Sequence, residues 1–278
     1  MLKKTAKISS AVLFCLWLIF CLSVYVYPQG YFYNPSSQKA NLANAHLNSF
    51  KAQEVKYNSF DNTELYGWFV KPQNDKIIVF FHGNSYNIES FYHKLVPLIE
   101  AGYGAFIGEY RGFGGIKGII NEKNLGEDAL SAVKYLNLQG YSNKNIILYG
   151  MSLGSYTSVH TAYTLGKEEK FDALILEVPF DTLLNVVKQR IVGIFPFSLI
   201  INDKYDNTQK ISQIDIPVLI MGASEDKVVP IKRAEELYKY AKYPKKMIIY
   251  QGAQHSNLYN YRNWQDILNW LNEHEKNK

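Results

Sequence analysis

Thiols are nearly missing from this chain. Its two cysteines, Cys15 and Cys21, both fall inside an apolar N-terminal run, so nothing after residue 21 carries one. That excludes a cysteine nucleophile, a CxxC redox pair and a thiolate zinc site from the remainder, and it suits an oxidising compartment. Metal and nucleotide signatures are missing as well: there is no HExxH, no EF-hand loop, no clustered ligand set, no GxGxxG and no GxxxxGK followed by Ser or Thr. The stretch Glu109-Tyr110-Arg111-Gly112-Phe113-Gly114-Gly115 has the glycines of a phosphate loop but not their spacing, and reads as a packed turn. No cofactor and no metal is therefore implied. Large charge is lacking too. The net charge of +5 comes largely from Lys3, Lys4 and Lys7 and from a group at Lys239, Lys242, Lys245 and Lys246. No basic stripe is interleaved with aromatics at a helical period, so these are solvated faces and no nucleic-acid partner is expected. Internal repeats and low-complexity tracts are also absent.

What is present first is one long apolar run. From Ala11 to Tyr27 there is no charge, and Ile8 to Ser10 extend the run to about 20 residues, enough to cross the hydrocarbon core as a helix. Lys3, Lys4 and Lys7 precede it and the next charge is Lys39, so a single-pass protein is expected with its N-terminus cytoplasmic and its bulk on the periplasmic or lumenal side. The competing reading is a cleaved signal peptide. The run is longer than an ordinary signal-peptide core and no small-x-small site follows before Pro28, which favours a retained signal anchor. Tyr25, Tyr27, Tyr31, Phe32 and Tyr33 at its far end fit an interfacial aromatic belt. The expected organisation is a membrane anchor over 1–27, a polar tether over 28–52 and one catalytic domain over 53–278, long enough to bury a large core without disulfides or metal.

Within that domain, Glu54–Phe60 and Leu65–Lys71 alternate apolar and polar about the turn Asp61-Asn62-Thr63, predicting an antiparallel pair. Five compact apolar runs then follow, Lys76–His82, Gly104–Glu109, Asn145–Tyr149, Ala173–Val178 and Pro217–Met221, with a last short strand at Met247–Tyr250. Such runs are buried on both faces, as parallel strands are. Helix-length segments separate them, near Glu89–Ala101, Glu122–Leu138, Leu153–Leu165 and Ile231–Tyr240, and a final helix covers Asn263–Glu273. Strand and helix in alternation predict an α/β fold, a mostly parallel eight-stranded sheet with helices on both faces. Phe180–Asp215 breaks the rhythm. It is apolar without being strand-like, and reads as a short helical cap (180–215), the alternative being an ordinary crossover helix with a loop.

Gly150-Met151-Ser152-Leu153-Gly154 follows directly on a strand and opens a helix. A sharp strand-to-helix turn exposes such a serine above the sheet, and the flanking glycines leave room for it. A hydroxyl needs a base, and the base a carboxylate to orient it. His255 lies in the loop after the last strand, and Asp226 in the loop after the preceding one, the Ser, Asp, His order of the α/β-hydrolase fold. Glu177 and Glu225 are rival acids, and a helix cap is the plain reading of Asp226. His82-Gly83-Asn84-Ser85 ends the first parallel strand, where the N–H of Asn84 or Ser85, with that of Leu153, would form an oxyanion hole; His82 itself is expected to be structural.

Together HGN, EYRGFGG, GMSLG, SEDKVVP and GAQHSN, with Asp203-Lys204-Tyr205-Asp206-Asn207 and Lys210-Ile211, give a chain that resembles the membrane-anchored α/β-hydrolase domain proteins, the bud-emergence group of fungi and its animal and bacterial relatives, over about Phe60 to Leu271. The resemblance implies hydrolysis of esters or thioesters, with the nucleophile at Ser152, the acid at Asp226 and the base at His255. Where that family often has aspartate before the YRG turn, this chain has Glu109. The expected function is thus a serine hydrolase acting on small-molecule or lipid-like acyl substrates at a membrane. The alternatives are a serine peptidase of the same fold and a non-catalytic membrane-anchored binding module.

Overall fold

A computed structural model describes residues 2–45, 47–190 and 196–276; the side chains of residues 2–11, 48 and 190 also lie outside the description. In chain order the first elements are α1 (Leu2–Val26), α2 (Gln29–Phe32), the two-residue β1 (Asn34–Pro35), β2 (Gln53–Asn58), β3 (Glu64–Val70), β4 (Ile77–Phe81) and the two-residue β5 (Ser85–Tyr86). Then come α3 (Val96–Glu100), β6 (Gly104–Gly108), α4 (Glu122–Leu138), β7 (Ile146–Met151), α5 (Leu153–Leu165) and β8 (Ala173–Glu177). The chain continues through α6 (Leu183–Arg190), α7 (Phe197–Ile200), α8 (Thr208–Ile211), β9 (Val218–Ala223), α9 (Lys232–Tyr240), β10 (Lys245–Tyr250) and α10 (Asn263–Lys276).

The eight expected strands form one sheet in the order β10-β9-β8-β7-β4-β6-β3-β2. β2 and β3 pair antiparallel, as do β3 and β6, and every other neighbour is parallel. Period two divides the apolar runs between two cores. Ile77, Val79 and Phe81 face one side with Leu148, Leu125 of α4 and Val159 of α5. Ile78 and Phe80 face the other with Ile147, Leu98 of α3 and Leu271 of α10. This is why these strands read as continuous apolar runs: both faces are covered by helices.

Three expectations change. The helix predicted over Glu89–Ala101 is two 3-10 turns, Ile88–Ser90 and Tyr92–Lys94, before α3. Pro97 has no N–H to return to a preceding turn and is tolerated only at a helix start, so a regular helix begins at Val96. The segment read as a polar tether is packed: Ala40, Ala45 and Leu47 are buried against the second core, because the apolar residues scattered along it meet the open flank of the loop after β4. His46 lies outside the described residues. The third concerns the N-terminus. Among the described residues no helix is long and apolar enough to cross a membrane, so the transmembrane helix expected before the domain is not shown by the fold. Lys3, Lys4 and Lys7 and the start of the apolar run belong to the side chains outside the description.

The interval Phe180–Asp215 carries α6, α7 and α8, with residues 191–195 outside the description. Val187, Phe197 and Ile201 cluster there, with Phe32 of α2 packed against them. α1 packs against α7.

Candidate active site

Ser152 sits between β7 and α5 with φ 53° and ψ −115°, a left-handed conformation that costs a non-glycine residue about 1–3 kcal/mol. The sheet holds it there. Ser152 N–H donates to the Glu177 carbonyl of the neighbouring strand at 2.9 Å, and Ser155 N–H donates back to the Ser152 carbonyl at 2.9 Å. The flanking glycines are demanded by close approach: a Cβ on Gly154 would stand 1.9 Å from the Phe81 carbonyl oxygen, and one on Gly150 2.1 Å from the Gly154 carbonyl oxygen.

Ser152 Oγ lies 2.9 Å from His255 Nε2, and His255 Nδ1 lies 2.7 Å from Asp226 Oδ2. The neutral imidazole that satisfies both contacts donates Nδ1–H to the carboxylate and accepts the serine hydroxyl proton at Nε2. Asp226 is buried, and its other oxygen accepts the N–H groups of Val228 and Val229, each at 2.8 Å. Asp226 is not the helix cap read as its plain alternative, since α9 begins at Lys232 with Ile231 at its N-cap; one oxygen closes a loop turn instead, leaving the second aimed at the histidine. The rival acids lie elsewhere. Glu177, fully buried, takes the Lys94 ammonium at 2.7 Å, the Tyr149 hydroxyl and the Asn263 side-chain amide; Glu225 is exposed.

The loop after β4 brings Gly83 beside Ser152: a Cβ there would meet Ser152 Cβ at 3.6 Å. Asn84 and Ser152 line the same cavity, while Leu153, as the first residue of α5, has an N–H with no carbonyl available inside its helix. His82 is fully buried, its Nδ1 2.8 Å from the Gly83 carbonyl and its ring packed 4.4 Å from Tyr110. Its Nε2 stands 2.9 Å from Glu109 Oε1 without the alignment of a hydrogen bond. The glutamate at 109 is accommodated, since its other oxygen accepts the Ile88 N–H at 3.0 Å.

Two cavities meet at Ser152. One, of about 340 Å³, is walled by Phe32, Leu183, Val186, Val187 and Val228, with Tyr33 and Tyr205 joined hydroxyl to hydroxyl along it. Burial pushes both phenols above the usual tyrosine range, so they stay protonated. The other, of about 410 Å³, has Ser85, Ser90, His93, His255 and Ser256 around it. Burial and the neighbouring Lys94 hold the His93 imidazole below its ordinary range. Sequence reading did not place Phe32, Tyr33, Tyr205 or Lys94 at the site: Phe32 and Tyr33, expected in an interfacial belt, line the cavity instead, Tyr205 stood only within the stretch of the family resemblance, and Lys94 belongs to no motif. Among the described residues Asp172, His274 and Glu275 lie close enough to share an ion, but the Lys76 ammonium is already 2.9 Å from Asp172 and 3.5 Å from Glu275, at the end of the sheet opposite Ser152.

A serine on a strained strand-to-helix elbow, over a mostly parallel eight-stranded sheet and in line with a histidine and a buried aspartate, defines an α/β-fold serine hydrolase. The chain belongs to the prolyl oligopeptidase family, whose profile matches residues 89–278. It is similar to the uncharacterized protein YfhR of Escherichia coli, 26% identical over 261 residues, which cover 90% of this chain and 86% of that protein. The resemblance to the bud-emergence group is borne out by protein bem46 of Schizosaccharomyces pombe, 26% identical over 223 residues, covering 74% of this chain and 70% of bem46. Among solved structures an esterase of Pyrococcus furiosus shares the fold, with a TM-score of 0.69 at 18% identity over 86% of this chain and 96% of that one.

Proposed function

We propose that the chain hydrolyses carboxylic ester or thioester bonds of lipid-like acyl substrates through an acyl-enzyme on Ser152. The observation that carries this reading is the unbroken line from Asp226 through His255 to Ser152, ending beside an apolar cavity. As Ser152 Oγ bonds to the substrate carbonyl carbon, His255 Nε2 takes its proton and the carbonyl electron pair moves onto oxygen. The N–H of Leu153 and one from Asn84 or Ser85 stabilise that charge, each such donor being worth about 3 kcal/mol. Collapse breaks the bond to the leaving oxygen or sulfur, which departs with the proton from His255. A water, deprotonated by the same nitrogen, attacks the acyl-enzyme and releases the acid. Asp226 orients the ring and stabilises it while it carries both protons.

The cavity of about 340 Å³ and its aliphatic and aromatic walls support the acyl side of the reading. A place at a membrane supports it too, and we propose α1 as a single-pass anchor (1–27) ahead of the catalytic domain (53–278), with the N-terminus cytoplasmic and the domain outside. The support is the uncharged run to Tyr27, the continuity of α1 over 25 residues, and side chains from Leu13 to Val26 that are mostly more than half exposed although apolar. A peptidase is the second reading, favoured by membership of the prolyl oligopeptidase family.

The test is labelling of the full chain by a fluorophosphonate, followed by a panel of short-chain esters, long-chain esters, thioesters and aminoacyl amides. Labelling of the parent, its loss in Ser152→Ala and a drop in kcat of about a thousandfold or more are expected. An unlabelled parent would return the chain to a binding module. Strong amide turnover with negligible ester turnover would make it a peptidase.

A further inference from the structure

We propose that residues 32–36 form a strap that positions the oxyanion loop, so the segment after α1 is a working part of the active site; this rests on the serine-hydrolase reading above. The loop leaving β4 passes Asn84, Ser85 and Tyr86 with no sheet neighbour on its outer side. The strap supplies one. Asn34 N–H donates to the Asn84 carbonyl and Ser36 N–H to the Tyr86 carbonyl, each at 2.9 Å, pairing β1 with β5 in parallel register. The Asn84 side-chain amide donates to the Phe32 carbonyl at 2.7 Å. Beyond the strap, the Asn87 side-chain amide donates to the Gln38 carbonyl at 3.0 Å, and Glu89 accepts the Asn41 N–H at 2.8 Å.

Peptide planarity turns these bonds into aim. In a trans peptide the C=O and the following N–H point in opposite directions, so fixing one fixes the other. The Gly83–Asn84 plane is held by His82 Nδ1 at the Gly83 carbonyl, 2.8 Å away, and the Asn84–Ser85 plane by Asn34 N–H at the Asn84 carbonyl. Both candidate oxyanion donors, Asn84 N–H and Ser85 N–H, thus have their direction set by a partner on the opposite edge of the plane, and one partner is the strap. The loop needs the help: Tyr86 is held at φ 63°, a conformation that side-chain-bearing residues avoid. The same segment turns Phe32 and Tyr33 into the wall of the apolar cavity, with Tyr33 fastened to Tyr205. An oxyanion donor displaced by about 1 Å loses much of its effect, up to about a hundredfold in rate.

The test uses full-length chain. Asn34→Pro deletes the N–H that holds the Asn84 carbonyl, and Tyr33 already has the extended backbone, φ −126° and ψ 147°, that a following proline requires. Asn34→Ala keeps that N–H. With a short-chain ester, Asn34→Pro is expected to lower kcat about tenfold or more with KM and melting temperature nearly unchanged, while Asn34→Ala stays within about twofold of the parent. If Asn34→Pro melts much earlier, Ser36→Pro, which removes the N–H bonded to Tyr86, is read in the same way. A folded proline variant with parental kcat, or equal losses in Asn34→Ala and Asn34→Pro, overturns the strap alone. A parent that neither labels nor turns over ester overturns the hydrolase reading, and the strap with it.

Discussion

His160 of α5 lies flat against Tyr156, ring centroids 5.6 Å apart, and burial, aided by Lys210, pushes its imidazole down to about 4. The unfolded chain takes up this proton near pH 6.5, whereas the folded chain resists it until about pH 4. Between those values the unfolded state binds more protons, so folding stability present above pH 6.5 drains as pH falls and is lost by about pH 4. Urea midpoints at pH 7 and pH 5 check this: the parent should weaken by a kcal/mol or more, and His160→Gln should flatten that fall. Equal slopes would remove His160 from the account. A second buried charge gives a larger effect. The Lys94 and Glu177 side chains are almost wholly buried and paired at 2.7 Å, so Lys94→Met strands a carboxylate and should cost about 3–5 kcal/mol, with much of that regained in Lys94→Met/Glu177→Leu. Denaturant titration of both variants decides it; a Lys94→Met loss under about 1 kcal/mol would mean the pair is not isolated from water. Neither residue's role was legible in the chain, since a lone histidine within a helix and a lone lysine ahead of an apolar turn carry no local signature.

The elbow between β7 and α5 is an element-scale object, and its Gly154, set beside Gly140 after α4, separates two physical causes. Gly154 must lack a Cβ because the Phe81 carbonyl, fixed in β4, leaves no room for one; Gly140 has open space but a φ of +93°. Gly154→Ala is expected to cost more than about 4 kcal/mol or to prevent folding, whereas Gly140→Ala should cost about 1 kcal/mol. Thermal unfolding of the two variants distinguishes them, and similar melting temperatures would show that the elbow can shift. The strand-turn-helix context of GMSLG was readable because a compact apolar run ends and a helix-length segment begins within three residues. Alternation located the antiparallel pair, and short apolar runs the other six strands of the sheet. Such local pattern failed at Glu89–Ala101, where apolar spacing imitates a helix but Pro97 breaks the ladder, and it was silent over residues 28–52, whose order comes from docking and not from any period.

At the scale of the molecule, α1 packs against α7, Phe32 of α2 packs against the cluster of Val187, Phe197 and Ile201, and residues 34–36 run from there to the loop at Asn84, so α1, the segment 180–215 and the Ser152 site are joined through one short stretch of chain. If α1 is the anchor proposed above, a substrate dissolved in a bilayer would meet the apolar cavity beside it. Full-length chain mixed with phospholipid vesicles is expected to float with them and to stay bound through an alkaline carbonate wash. Recovery in the soluble fraction would overturn the anchor, while leaving the chemistry at Ser152 untouched.

The chain alone determined the alternation of strand and helix, the elbow, and the identity and order of Ser152, Asp226 and His255, because each is written in local periods and in motifs a few residues long. Only the tertiary structure decided which Asp226 oxygen faces the imidazole, that Glu177 belongs to Lys94, and that residues 32–36 lie against the loop at Asn84. Those are contacts between stretches tens of residues apart, set by packing and by the need to pair buried polar groups, and no local pattern encodes them.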